Sequence, residues 1–130
     1  MILTVPYPPP VNRMYRSVVI GGHARVLLSK EARQYKRLVS EAFLERVRRD
    51  GGCVYPIHAK PAEVVLNIAL YRPRRVGDID GALKGLLDAL QGYLFENDSQ
   101  VCVLHVWRGD DKVNPRAEVC ATRYVPAAPR

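Results

Sequence analysis

Cysteine is scarce in this sequence and comes in an odd number: Cys53, Cys102 and Cys120 among 130 residues, with no CxxC. That argues against a disulfide framework and a structural zinc site, and for a reducing, cytoplasmic setting. Cys102 and Cys120 fall in apolar runs and read as small core residues rather than nucleophiles. Long apolar runs are missing too. None approaches about 18 residues, so no membrane-spanning helix is expected. The start MILTVPYPPP lacks the basic region and long apolar stretch of a secretory signal. No internal repeat is visible. Acids are the last shortage: 13 Asp and Glu against 20 Lys and Arg, for a net charge of +7. Such a surplus favours polyanion partners, nucleic acid above all, although a basic surface alone does not establish one.

What is present suits a folded chain. A hydrophobic fraction of 48% fits a globular protein. A chain of this length buries roughly two-thirds of its unfolded surface without a covalent staple, so one domain over residues 1–130 is expected. A short strand opens the chain, and Pro8, Pro9 and Pro10 must extend it as an arm, because proline cannot donate to a ladder. SVVIGGHARVLL reads as a hairpin turning at Gly21 and Gly22. Ser29 is placed to cap a long helix, Lys30 to Arg49, with Ala32, Tyr35, Leu38, Val39, Ala42, Phe43 and Val47 as its buried stripe. Lys36, Arg37, Arg46, Arg48 and Arg49 lie largely off that stripe, as a solvated face or a DNA-facing one. AEVVLNIALY is a strand with apolar residues on both faces, hence central. A second helix is expected from about Asp78 to Gln91. VCVLHVWR and RAEVCATRY are two more strands, and the loop between them favours pairing them antiparallel. The sum is an α+β domain: a mixed sheet with two main helices packed on it. Tyr7, Tyr15, Tyr93, Phe95 and Trp107 are read chiefly as core.

The stretch RRVGDIDGALKGLLDAL, Arg74 to Leu90, carries the chemistry. On a helical wheel Ile79, Ala82, Leu83, Leu86, Leu87 and Leu90 share one side; Asp80, Lys84, Asp88 and Gln91 form a narrow stripe opposite. Taken locally, Asp78 is an N-cap and Asp80 with Lys84 an ordinary ion pair one turn apart. A second reading is a metal site. FENDSQV places Asp98 in a turn before a strand, and a strand-helix-strand unit can return that turn beside the helix. Three converging carboxylates repel; Mg²⁺ relieves this, retaining waters and taking phosphate oxygens as further ligands. Arg72, Arg74 and Arg75 just upstream would hold the phosphate backbone. Gly81 and Gly85 each cost about 1 kcal/mol in a helix interior, which either permits close approach of another backbone or serves nothing.

The proline arm VPYPPPVNRMYR, the block DIDGALKGLLDAL and the segment FENDSQV together resemble the RusA family of Holliday-junction resolvases. The resemblance covers most of the chain and implies a small homodimeric endodeoxyribonuclease. Such an enzyme uses Mg²⁺ or Mn²⁺ to nick four-way DNA junctions symmetrically, in recombination and repair. It matches Asp78, Asp80 and Asp98 to the metal ligands, Lys84 to the catalytic lysine, and Asp88 to a recurring acid that supports them. Asn12, Arg13 and Arg16 match polar residues near the DNA. Two positions depart from the family: Gly81 stands where Asn is frequent, and Asn97 replaces an acid beside Asp98. Two other readings compete: a non-catalytic basic accessory protein that binds nucleic acid, and a proline arm that serves as ligand for a partner domain.

Overall fold

The structure, a computed structural model, describes residues 1–127. Its frame is a four-stranded sheet in the order β1 (Ile2–Pro6), β6 (Arg116–Arg123), β4 (Val64–Arg72), β5 (Val101–Asp110). β4 is buried at every second residue and takes the centre. It pairs parallel to β5, from Val64 with Val101 to Arg72 with Asp110, and antiparallel to β6. The expected β5–β6 pairing does not form, because the more apolar β4 lies between them. The connecting loop therefore crosses over a strand instead of closing a hairpin. β5 is left at the sheet edge. That is why Cys102 and Trp107 are exposed rather than buried, and why Cys120 is half-buried.

One face of the sheet carries Leu3, Val5, Val64, Leu66, Ile68, Leu70, Ala117 and Val119, all buried. Two helices cover it. α1 (Lys30–Arg49) has its N-cap at Ser29, whose Oγ accepts from Ala32 N at 3.0 Å. The same hydroxyl donates to Arg13 O at 2.6 Å, tying the proline arm to the helix start. Ala32, Tyr35, Val39, Phe43 and Val47 make its buried stripe, with Leu38 and Ala42 half-buried. The Tyr35 hydroxyl donates to Pro6 O at 2.7 Å, fixing the arm where it leaves β1. On the far side Arg37, Arg46 and Arg48 pair with Glu41, Asp50 and Glu45.

α2 is shorter than expected, Leu83–Leu90, and is preceded by a 3₁₀ turn, Asp80–Ala82. Asp78 therefore does not cap it. Gly85 explains itself on packing. A Cβ there would meet Met14 Sδ at 2.8 Å, and Met14 is fully buried. Glycine is what lets the chain beyond the prolines lie directly on α2. Gly81 meets nothing within 4 Å. A separate ribbon, β2 (Tyr15–Ile20) with β3 (His23–Leu28), projects from the body. Its turn uses positive φ at Gly21 and Gly22, 59° and 80°, as a two-residue hairpin requires.

Candidate active site

Thirteen acids populate the sequence, and most are committed. Asp88, Asp110, Asp111 and Glu118 each hold a lysine or arginine at 2.9–3.1 Å. Among the described residues, Asp78, Asp80 and Asp98 accept no side-chain hydrogen bond and join no ion pair. Asp78 and Asp80 are exposed and Asp98 half-buried. Asp78 stands in the loop after β4, with its main-chain oxygen held by Gly81 N at 3.2 Å. Arg108 Nη1 donates to Gly77 O at 3.1 Å and anchors the same loop from β5. This support comes from a residue that sequence reasoning did not single out.

Lys84 and Asp88 sit one turn apart on α2, with Nζ 3.1 Å from Oδ1. Asp88 also accepts from the Tyr15 hydroxyl at 3.1 Å and from Gln91 Nε2 at 3.4 Å. It is thus a hub joining α2 to the root of the β2–β3 ribbon. Its hydrogen bond holds the Lys84 ammonium above the ordinary lysine range; its charge and, more weakly, that of Asp98 add to the effect. Lys84 is therefore a permanent cation flanked by Asp88 and Asp98. An Asp88→Asn change removes the main cause of the raised lysine pKa. If Lys84 works in its charged form, the alkaline limb of the cleavage pH profile is expected to move to lower pH in that variant, read from single-turnover rates across a pH series.

The turn carrying Asp98 is built from a capping box. Asn97 Oδ1 accepts from Ser99 N at 2.9 Å, and Gln100 Oε1 accepts from Asn97 N at 2.9 Å. Asn97 caps this turn through an acceptor oxygen that an aspartate would also supply. The N-x-x-Q spacing is the signal by which sequence reasoning could have found Gln100.

The basic residues divide. Arg72 is buried and its Nε lies 2.9 Å from Asp110 Oδ1, so it is a structural ion pair rather than a DNA contact. Arg75 shares that carboxylate at 3.1 Å yet is 84% exposed. Arg74, Asn12, Arg13 and Arg16 are exposed. From Met1 to Lys30 the chain contains no acid at all, so the arm and ribbon present unopposed positive charge.

Among the described residues, no three His, Cys, Asp or Glu side chains are grouped closely enough to hold a metal ion. Asp78, Asp80 and Asp98 are thus not a preassembled triad. The donor chemistry nonetheless suits Mg²⁺, which takes one or two carboxylates and completes its shell with water and substrate phosphate. Two exposed carboxylates without protein partners, two residues apart, meet that demand. Among the described residues, no helix is long and apolar enough to cross a membrane. No curated protein matches the chain. The family model described as Endodeoxyribonuclease RusA does match, over residues 6–121, which spans the arm, both helices, β4 and β5 and most of β6; the chain belongs to the RusA endodeoxyribonuclease family.

Proposed function

We propose that the protein is a divalent-metal-dependent endonuclease that resolves four-way DNA junctions by paired, symmetric nicks. Asp78, Asp80 and Asp98 would hold Mg²⁺ or Mn²⁺. The observation that carries this reading is the commitment pattern of the acids. Among the described residues these three join no ion pair; Glu31 and Glu63 join none either, but they lie outside the segment from residue 78 to 98 that carries Lys84. An exposed carboxylate kept unpaired beside Lys84 and Arg74 suits the capture of an ion that arrives with the substrate. When bound, the cation would polarise a phosphoryl oxygen of the scissile phosphate.

The chain's own groups do the rest. Asn12, Arg13, Arg16, Arg74 and Arg75 face outward and hold the phosphate backbone, fixing its register rather than reading bases. Asp88 orients Lys84 and keeps it protonated, so its ammonium stabilises the charge that develops on the phosphate. Asp88, held by Tyr15, and Asn97, capping the turn before β5, position Lys84 and Asp98. Two equivalent sites are needed to cut two strands of like polarity, and a two-fold homodimer supplies them.

A labelled four-way junction in a magnesium series, with and without chelator, tests the reading. Paired nicks that appear with Mg²⁺ and vanish with chelator are expected. Salt-sensitive binding with no product at any metal concentration would instead identify a non-catalytic DNA-binding protein.

A further inference from the structure

A cavity of about 610 Å³ has Asp78 in its lining. It runs between the proline arm and the loop after β4, and its size falls within the roughly 300–1,000 Å³ of small-molecule sites. Its lining is largely apolar and includes Pro8 and Pro9 of the arm, Leu38 and Tyr35 of α1, Tyr7 and Ala82. Pro8 and Pro9 are buried, and the Tyr35 hydroxyl is already spent on Pro6 O, so the wall is pre-formed. The rim is polar. Asn12, Gln34 and Glu31 offer amide donors and acceptors and a carboxylate acceptor, and Arg13 and Arg74 stand at the same mouth.

We infer that this groove receives one unstacked nucleobase of the DNA strand whose phosphate lies at Asp78. The inference rests on the nuclease reading above and adds a substrate subsite to it. A largely apolar groove suits a base ring, and the half-buried Tyr7 in its lining offers an aromatic face on which any base can stack. An edge of amide and carboxylate groups suits the hydrogen-bonding edge of a base, as side-chain amides and acids do in grooves of the duplex. The arginines at the mouth place the phosphates that must flank such a base. Withdrawing a base costs least where pairing is already broken, and a branch point is such a place. The groove would therefore favour cutting where a nucleotide is free to leave the stack. Gly81 lines the slot with open space where its Cβ would be, so the residue type at this position sets how much room the base has.

The test uses the full chain and a four-way junction carrying 2-aminopurine, placed in turn at each nucleotide flanking the branch point. Ca²⁺ replaces Mg²⁺ so that fluorescence is read without cutting. At one position the fluorescence is expected to rise about threefold or more as the probe leaves the stack. Gly81→Leu and Gln34→Trp add bulk at two points of the lining, one with open space and one exposed. Both variants, checked for unchanged melting, are expected to lose the rise and to cut the junction more slowly. No rise at any position with saturating wild-type protein overturns the inference, as does a rise that persists in either variant. If wild-type protein cuts with Mg²⁺ but shows no rise, the base site falls alone. If the rise occurs without any cutting, the nuclease reading falls and the base site stands.

Discussion

Asp80→Asn is expected to lower junction cleavage by about 10³-fold, equivalent to ~4 kcal/mol of transition-state stabilisation, while leaving the fold and DNA binding intact. The structure separates these effects. Asp80 is exposed and its carboxylate has no protein partner among the described residues, so the change should alter stability by no more than about 0.5 kcal/mol. Removing a negative charge from a basic surface removes repulsion of phosphate, so junction affinity should hold or rise. A carboxamide keeps the shape and one oxygen but loses the charge that a hard cation needs. Single-turnover cleavage in Mg²⁺, gel-shift affinity in Ca²⁺ and a thermal melt, run on the same preparation, check all three statements. Undiminished nicking by the variant would remove Asp80 from the metal site, and an equal loss of affinity and cleavage would make it a binding residue.

The parts of this site that the sequence made legible share a property: their partners are near in the chain. Helical spacing makes Asp80, Lys84 and Asp88 neighbours one turn apart, although the ion pair expected between Asp80 and Lys84 forms between Lys84 and Asp88 instead. Ser29 caps α1, and the stripe from Ala32 to Val47 faces inward, because capping and periodicity are local rules. What failed depended on distant residues. Arg72 looked free for DNA, but its partner Asp110 comes 38 positions later, from the strand beside it. Asp78 looked like a cap, yet the helix starts beyond it through a 3₁₀ turn over Gly81. A short loop between β5 and β6 suggested a hairpin, but loop length cannot tell whether a more apolar strand will take the place between them. That Asp78, Asp80 and Asp98 form no preassembled triad among the described residues depends on tertiary placement, which no local pattern encodes. Gly85 was noticed for its helix cost, but the reason, Met14 lying against it, needed coordinates.

Gln100→Ala is expected to destabilise the protein by roughly 3 kcal/mol and to lower Tm by about 10 °C. No other side chain here makes so many main-chain contacts while 5% exposed. Its Oε1 accepts from Glu96 N at 2.8 Å and Asn97 N at 2.9 Å; its Nε2 donates to His58 O at 3.1 Å and Ala62 O at 2.8 Å. One amide thus joins the turn that carries Asp98 to the segment that leads into β4. Alanine leaves Asn97 N and Ala62 O without a partner, while Glu96 N still donates to His58 O at 3.3 Å, and a buried group so left costs about 1–3 kcal/mol unless water reaches it. Gln100→Glu separates lost hydrogen bonds from lost volume. Its carboxylate keeps the acceptor but turns lone pairs toward His58 O and Ala62 O, so ionisation is disfavoured and the folded pKa lies above the unfolded value of about 4.3. The folded state then binds the proton more tightly. Stability should be recovered in part below about pH 4.3 and lost as pH rises through the folded pKa. Chemical denaturation of both variants across that range measures the difference. A Gln100→Glu protein as stable as wild type at neutral pH would show that the two donated bonds do not hold the turn.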